Sequence, residues 1–548
     1  MPARRAIDAA TAARIRKDLK DIGRPLEYKK YLKQYSCHAL SGCFLAESRE
    51  IGPECAPECS SRPNFEPVMN QVHALTDLSA REAAEQMARG ELRATDYAQA
   101  LLARAEAIAP FGALLHLDAG QLLAAAAALD ASPSPAPGAQ PLRGVPLAFK
   151  DNIDVADMPT TAGSPWMADH RPRMHAGVTQ RLIDAGALVL GKTNLHEWSQ
   201  GVTGHNHGFG PSRNPFDSTR ITGGSSGGNA ALLGLRAAPA AIGTDTGGSV
   251  RVPAALCGLV GYRPTVHRWP EDGLVPISPT FDTAGVMARC VDDCVLIDHA
   301  VAGGPLRLGV MPLMGVRLGV PEAYFWEELD PPVAELARES LRALQAAGAV
   351  LLPCDLAEAG ALFQEGSMSI SLHEILPALA AYFARHQRPF DARALTDAVA
   401  SPDVRPLFER LFGDSAVTPE AYAHALNVLR PRMQAAYRDC FARHDIAALV
   451  FPTSPLTAAR IGEDVQVTLC GRPTSAFSAY IRNTGPAGMA GLPAVSLPIG
   501  LTRDGLPAGL ELTGPEGADS LLLALALGVE SALPHAPVPG ALQGLARG

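Results

Sequence analysis

GTDTGGSVRVP, Gly243 to Pro253, places a serine behind two glycines and ahead of an apolar, helix-like run. Glycine frees the backbone for unusual φ values and lets a ligand approach it closely. Three readings follow: a phosphate cradle, a tight turn without chemistry, or a nucleophile beside main-chain N–H groups that hold an oxyanion. A second stretch, GGSSGGNAA from Gly223 to Ala231, lies upstream, with Ser225 24 residues before Ser249. It leads into another apolar run, NAALLGL. Both serines are therefore expected at turns before helix N-termini. Unpaired N–H groups and a partial positive charge there suit a developing anion.

The rivals can be weighed on the residues. A phosphate-binding loop of the G-x4-G-K-[ST] kind needs a lysine after its glycines, and neither stretch has one. GTDTGGS does not match the G-x-G-x-x-G of dinucleotide sites. Gly223 to Gly227 does fit G-x-S-x-G with Ser225 central, but so short a pattern carries little. A plain turn would explain either stretch alone. It explains poorly the pair together with Lys150, which ends the apolar run VPLAF from Val145. A serine nucleophile needs a base. Burial disfavours the charged form of lysine, so a lysine at the end of a buried strand is a candidate. None of the 15 histidines sits in an H-E-x-x-H setting. His205 and His207, in GHNHG, suggest a metal, but a solvated loop is the preferred reading. Cys37, Cys43, Cys55 and Cys59 cluster beside His38, but C-x5-C and C-x3-C are not the usual zinc spacings.

Bulk properties narrow the class. The chain has 548 residues, 47% hydrophobic and 19% charged, with a net charge of -9. That composition is globular and does not suggest nucleic-acid binding. No apolar run reaches the ~18 residues of a membrane span. The N-terminus lacks the apolar core of a signal peptide, so a cytoplasmic location is expected.

Residues 1–70 read as a partly helical, Cys/Pro-rich extension of unread function. From about residue 71 to 540 the pattern is regular and implies one domain. SAREAAEQMARGE opens with Ser79 and has Glu82 three residues on, a capping box. TQRLIDAGA, PPVAELARESLRALQAAGA and PEAYAHALNVLRPRMQAAYRDCFARH read as helices, the last one long with Pro431 inside. LVLGKTN, VLLP and IAALVFP read as strands following them. The alternation predicts an α/β fold: a large mixed, mostly parallel twisted sheet covered by helices on both faces.

PLAFKDNIDV, GGSSGGNAA and GTDTGGSVRVPAALCGLVGYRPT, with their spacings, resemble the amidase signature family. The similarity runs from about Leu75 to about Ala532. It implies hydrolysis of a carboxylic acid amide to the acid and ammonia through a seryl acyl-enzyme. Carried over by residue, it implies Ser249 as nucleophile, Ser225 as bridging serine after a cis peptide bond, and Lys150 as base. Thr246, Gly247 and Gly248, with the Ser249 N–H, would form the oxyanion hole; Ser226 and Asp245 would support it. No cofactor and no metal are implied. VFPTSPLTAARIGED, from Val450, and SAYIRNTGPAGMAGLPAVSLPIGLTRDGLPAGLELTGPEGAD, from Ser478, look most like the branch acting on arylacetic amides, such as indoleacetamide and mandelamide hydrolases. The alternative is the glutamine-hydrolysing A subunit of an aminoacyl-tRNA amidotransferase. The expected partner is a small amide, with no nucleic acid and no membrane, and a homodimer is left open. Trp166, Trp198 and Tyr480 are candidate pocket walls, with core packing the preferred role for each.

Overall fold

The computed structural model describes residues 74–542 except 134, 135 and 137. The extension expected over residues 1–70, with its cysteine cluster, lies outside the described residues. The strands are β1 (Leu114–His116), β2 (Pro146–Lys150), β3 (Leu188–Thr193), β4 (His205–Asn206), β5 (Gly210–Pro211), β6 (Ala240–Asp245), β7 (Val260–Arg263) and β8 (Thr283–Ala288). They continue with β9 (Arg317–Pro321), β10 (Val350–Cys354), β11 (Ala448–Pro452), β12 (Gln466–Leu469), β13 (Arg472–Ser475), β14 (Ala494–Leu501) and β15 (Pro507–Thr513).

Eleven strands form one sheet in the order β1-β3-β2-β6-β8-β7-β14-β15-β11-β9-β10. Helices flank it, and the expected mixed α/β sheet is present. Its parallel pairs are β2–β3, β2–β6, β9–β10 and β9–β11. They lie toward the two ends, where helical crossovers such as Gly177–Asp184 and Pro331–Ala346 join consecutive strands. The centre, β6-β8-β7-β14-β15-β11, is antiparallel throughout. Parallel pairing is thus less widespread than the sequence suggested. The helix–strand alternation advertised the crossovers but was silent on the short central strands.

Every residue of β2, β6, β8 and β15 is buried. Strands covered on both faces lose the two-residue alternation and read as apolar runs. Fully burying a Leu or Phe side chain, such as Leu147 or Phe149, is worth about 1.5–3 kcal/mol. The capping box forms as read: Ser79 Oγ accepts from Glu82 N–H, and the Glu82 carboxylate accepts from Ser79 N–H. The long helix expected over residues 419–444 forms as one run with an internal π turn. Helix Pro419–His424 passes through a wide π turn, Ala425–Leu429, into helix Arg430–His444. Pro431 sits in the first turn of that last segment, where its missing N–H is tolerated.

An ion cluster joins the central strands at their core. Arg251, from helix Arg251–Leu256, pairs with Asp245 on β6 at 2.9 Å and with Glu511 on β15 at 2.6 Å. Arg263 on β7 reaches Asp245 at 3.0 Å. All four side chains are fully buried. Removing one partner of a buried pair leaves an uncompensated charge, at a cost of about 3–5 kcal/mol. Arg251→Met should therefore lower stability by about 3 kcal/mol or more, read as a shift in the denaturant midpoint. A loss below about 1 kcal/mol would show that the cluster does not hold the central strands.

Candidate active site

Lys150 ends β2 with its side chain fully buried. β6 runs parallel beside β2, which sets Thr244 next to it. Lys150 Nζ contacts Ser225 Oγ at 2.7 Å and Thr244 Oγ1 at 2.8 Å. Asn152 Nδ2 donates to the same Thr244 oxygen at 3.0 Å. Among the described residues the hydrogen-bond partners of the amine are thus two hydroxyls. Lys192, equally buried on β3, instead pairs with Asp151 at 2.9 Å. Burial pushes the Lys150 amine down to about 7 from its ordinary value near 10.5, although Asp245 and Asp282 oppose the shift. Near pH 7 a large fraction of Lys150 is therefore neutral, as a proton acceptor must be.

Ser225 lies in the turn before helix Gly227–Gly234, with Ser226 at its N-cap, and the Gly224–Ser225 peptide is cis. Ser225 C=O accepts from His196 N–H at 3.0 Å. Ser226 N–H donates to Ser249 C=O at 3.2 Å, which lays the two serine segments side by side. Ser226 Oγ reaches Thr244 C=O at 3.4 Å. Gly243 makes the room for this: a Cβ there would meet Ser226 Oγ at 2.8 Å.

The loop carrying Thr246 to Ser249 is moulded by Asp245. Its carboxylate accepts from Gly248 N–H at 2.9 Å and Val250 N–H at 3.1 Å. Burial raises this carboxyl, but Arg251 and Arg263 more than offset that and hold it well below the usual range. The Gly248 N–H, read from the sequence as an oxyanion donor, is therefore committed to Asp245. The N–H groups of Gly247 and Ser249 find no acceptor among the described residues. Gly248 has φ +132, and a Cβ there would sit 2.2 Å from Thr484 Oγ1. Thr484 Oγ1 in turn donates to Gly247 C=O at 2.6 Å. Thr246 Oγ1 donates to Asp282 Oδ1 at 2.6 Å, and burial lifts the Asp282 carboxyl to about 6.

The structure thus brings Lys150, Ser225 and the Ser249 segment together. Sequence reasoning missed Thr244, Asn152, Arg251, Thr484 and Asp282. Thr244 and Arg251 lie inside the motif quoted first, and Asn152 follows Lys150 by two; only the pairing of β2 with β6 gives them their roles. The core packing preferred for the three pocket-wall candidates is seen for Tyr480 and Trp198, with Trp166 half-buried against the Trp198 cluster. Tyr480 is fully buried, donates to Thr457 C=O and accepts from Ala459 N–H, so it is core. Trp166 and Trp198 sit together, ring centroids 6.1 Å apart, against Phe383 and Phe408. Trp198 Nε1 is buried without an acceptor among the described residues. Its neighbour Ser199 accepts from Asn152 Nδ2 at 3.2 Å, which ties this aromatic cluster to the Lys150 network.

Comparison with known proteins places this geometry. The Amidase family profile matches residues 96–523. The chain is 39% identical over 464 residues to an indoleacetamide hydrolase of Agrobacterium vitis, covering 85% of this chain and 99% of that protein. It is 37% identical to a mandelamide hydrolase of Pseudomonas putida, covering 86% of this chain and 94% of that protein. The crystal structure of a peptide amidase from Stenotrophomonas maltophilia superposes with a TM-score of 0.73 at 30% identity, over 84% of this chain and 98% of that one. No helix among the described residues is long and apolar enough to cross a membrane. With a matching profile over most of its length and relatives covered almost end to end, the chain belongs to the amidase family of amide hydrolases.

Proposed function

We propose that residues 71–540 form one amidase domain that hydrolyses arylacetamide-type primary amides to the acid and ammonia. The reaction runs through an acyl-enzyme on Ser249. The observation that carries this reading is the buried contact of Lys150 Nζ with Ser225 Oγ at 2.7 Å, free of any carboxylate partner.

In this mechanism neutral Lys150 donates to Thr244 and accepts the hydroxyl proton of Ser225. Ser225 takes the proton of Ser249, whose Oγ attacks the amide carbon. The C=O bond opens to an oxyanion, held by main-chain N–H groups of the Thr246–Ser249 loop. Thr246, Gly247 and Ser249 supply the ones uncommitted among the described residues. A single well-placed donor of this kind is worth about 2.7–4 kcal/mol in the transition state. The proton then returns through Ser225 to the leaving nitrogen, the C–N bond breaks and ammonia departs. Water attacks the acyl-enzyme by the same relay, releasing the acid and restoring Ser249. Support for an aryl substituent comes from the indoleacetamide and mandelamide hydrolases among the relatives, and from the Trp166–Trp198 cluster beside Asn152.

Ser249→Ala should abolish both turnover and labelling by a fluorophosphonate while leaving the circular dichroism spectrum unchanged. Full activity in that variant would remove Ser249 from the mechanism.

The pH profile has a definite sign. Protonation of Lys150 removes the base, so kcat/KM should be flat above about pH 7 and fall about tenfold per unit below it. Lys150→Ala should lose this limb and recover activity only at high pH. A wild-type profile flat from pH 5 to about 8 would contradict a base with the value assigned here.

Ammonia release from indoleacetamide, mandelamide, phenylacetamide, short aliphatic amides and glutamine tests the substrate. The aryl amides should lead in kcat/KM by about tenfold or more over the aliphatic ones. One aromatic ring buried in an apolar pocket supplies at least the 1.4 kcal/mol that this ratio needs. Activity on glutamine alone, and only with added partner subunits, would favour an amidotransferase A subunit instead.

A further inference from the structure

GHNHG becomes a different object in three dimensions. His205 opens β4, the first arm of a two-stranded ribbon with β5, and His207 begins the turn after it, with the two rings on the same side. Asn206 between them points the other way and is fully buried. Its Nδ2 donates to Gly163 C=O at 2.8 Å and to Leu195 C=O at 2.9 Å. Its Oδ1 accepts from Gly208 N–H and Phe209 N–H, both at 2.8 Å. Asn206 is therefore the anchor, and it obliges both imidazoles to face outward. Their rings stack with centroids 4.0 Å apart.

A carboxylate from a distant part of the chain meets them. Asp464 Oδ2 is 2.7 Å from His205 Nδ1 and 3.4 Å from His207 Nε2. Its other oxygen, Oδ1, accepts from Thr203 Oγ1 at 2.9 Å, which fixes the carboxylate plane. Burial raises the Asp464 carboxyl, but His205 and Thr203 reverse that, so it stays ionised near neutrality. The two ring nitrogens and the carboxylate oxygen all lie within 4.8 Å of one another. Asp464 is buried, while His207 keeps 30% of its side chain exposed and leaves an entry path.

We propose that His205 Nδ1, His207 Nε2 and Asp464 Oδ2 bind one divalent transition-metal ion of the zinc class. Such an ion takes imidazole nitrogen and carboxylate oxygen at about 2.0–2.2 Å, so tetrahedral ligands stand about 3.3 Å apart. The separations of 2.7 and 3.4 Å already bracket that figure, and only small rotations of the rings are required. Thr203 is the outer partner that orients the carboxylate, as ligating carboxylates usually require. Solvent at the open face completes the shell. Two nitrogen donors and one oxygen donor suit zinc, cobalt, nickel or copper and discriminate against magnesium and calcium, which prefer all-oxygen shells. The site is distinct from the Lys150–Ser225 network but adjoins it. Thr203 Oγ1 lies 3.3 Å from His196 Nδ1, and the N–H of His196 donates to Ser225 C=O.

The test uses the full-length, untagged chain stripped with chelator, titrated with zinc sulfate by calorimetry and with cobalt by absorption. His207→Gln and Asp464→Asn are compared with the wild type. His207 is partly exposed and plays no part in the proposed hydrolysis, so His207→Gln should keep its amidase activity and melting temperature. One zinc equivalent should be lost, or weakened at least tenfold, in each variant. The cobalt spectrum of that equivalent should show d–d bands without a thiolate charge-transfer band, which separates it from binding at Cys37, Cys43, Cys55 and Cys59. Equal zinc stoichiometry and affinity in wild type and folded, active His207→Gln would overturn the proposal. So would a wild type whose only cobalt signal is that of thiolate ligation, or one that binds no zinc.

Discussion

The Thr246–Ser249 loop depends on one buried carboxylate. Asp245 has Arg251 on one side and Arg263 on the other, and it receives three main-chain N–H groups, those of Gly248, Val250 and, at 3.4 Å, Arg251. It skips Ser249 and Gly247, whose N–H groups are left over. A charged group this deep is tolerable only because two guanidiniums surround it. The same pair of arginines ties the loop to β7 and, through Glu511, to β15. The shape of the loop is thus a property of the whole central sheet. It is not a property of the glycines alone. The glycines permit the path, and Asp245 selects it.

Two lysines illustrate how little sequence says about protonation. Lys150 and Lys192 both follow apolar strand residues, both are fully buried, and each lies on one of two adjacent parallel strands. Lys192 meets Asp151, so its charge is compensated. Lys150 meets Ser225 and Thr244, which serve an amine or an ammonium equally well. Asp151, just past β2, pairs with Lys192, whereas Asp245, at the end of β6, pairs with Arg251 and Arg263 and leaves Lys150 to the hydroxyls. No local pattern in VPLAFKDN or LVLGKTN encodes it.

Much of the site was nevertheless legible. The placement of Lys150 at a strand end, the two serines at helix entries and the mixed α/β sheet all rest on local signals: apolar runs, glycine pairs and helical periodicity. The failures share another cause. The antiparallel centre went unread because β7 and β8 are four and six residues long, are rich in small residues, and are buried throughout, so they lack alternation. The commitment of the Gly248 N–H to Asp245 went unread because it spans a turn whose geometry is set by Arg251 and Thr484. The meeting of His205, His207 and Asp464 went unread because 257 residues separate His207 from Asp464. What escapes the sequence is long-range pairing of polar groups, which obeys no periodicity.

The same distinction bears on specificity. The proposed hydrolytic apparatus is built from groups on β2, β6 and the two glycine-rich turns; Ser225 and Thr244 are buried and joined through the Lys150 amine, while Ser249 is partly exposed. Its supporting cluster of Asp245, Arg251 and Arg263 is tied into the central sheet, so change there costs stability. The aromatic cluster of Trp166, Trp198, Phe383 and Phe408 is different in kind. Its members come from loops and from the helix Ala357–Arg385 and the segment after it, and they meet only through ring contacts. Ring contacts are individually worth about 0.5–1.5 kcal/mol beyond burial and tolerate exchange of one apolar side chain for another. A cluster of that kind can change shape while Asp245, Arg251 and Lys150 stay fixed. On the proposed reading that this cluster faces the acyl group, exchanges within it would alter specificity first. Trp198 joins the two regions: its ring belongs to the aromatic cluster, and the next residue, Ser199, accepts from the Asn152 amide that also contacts Thr244.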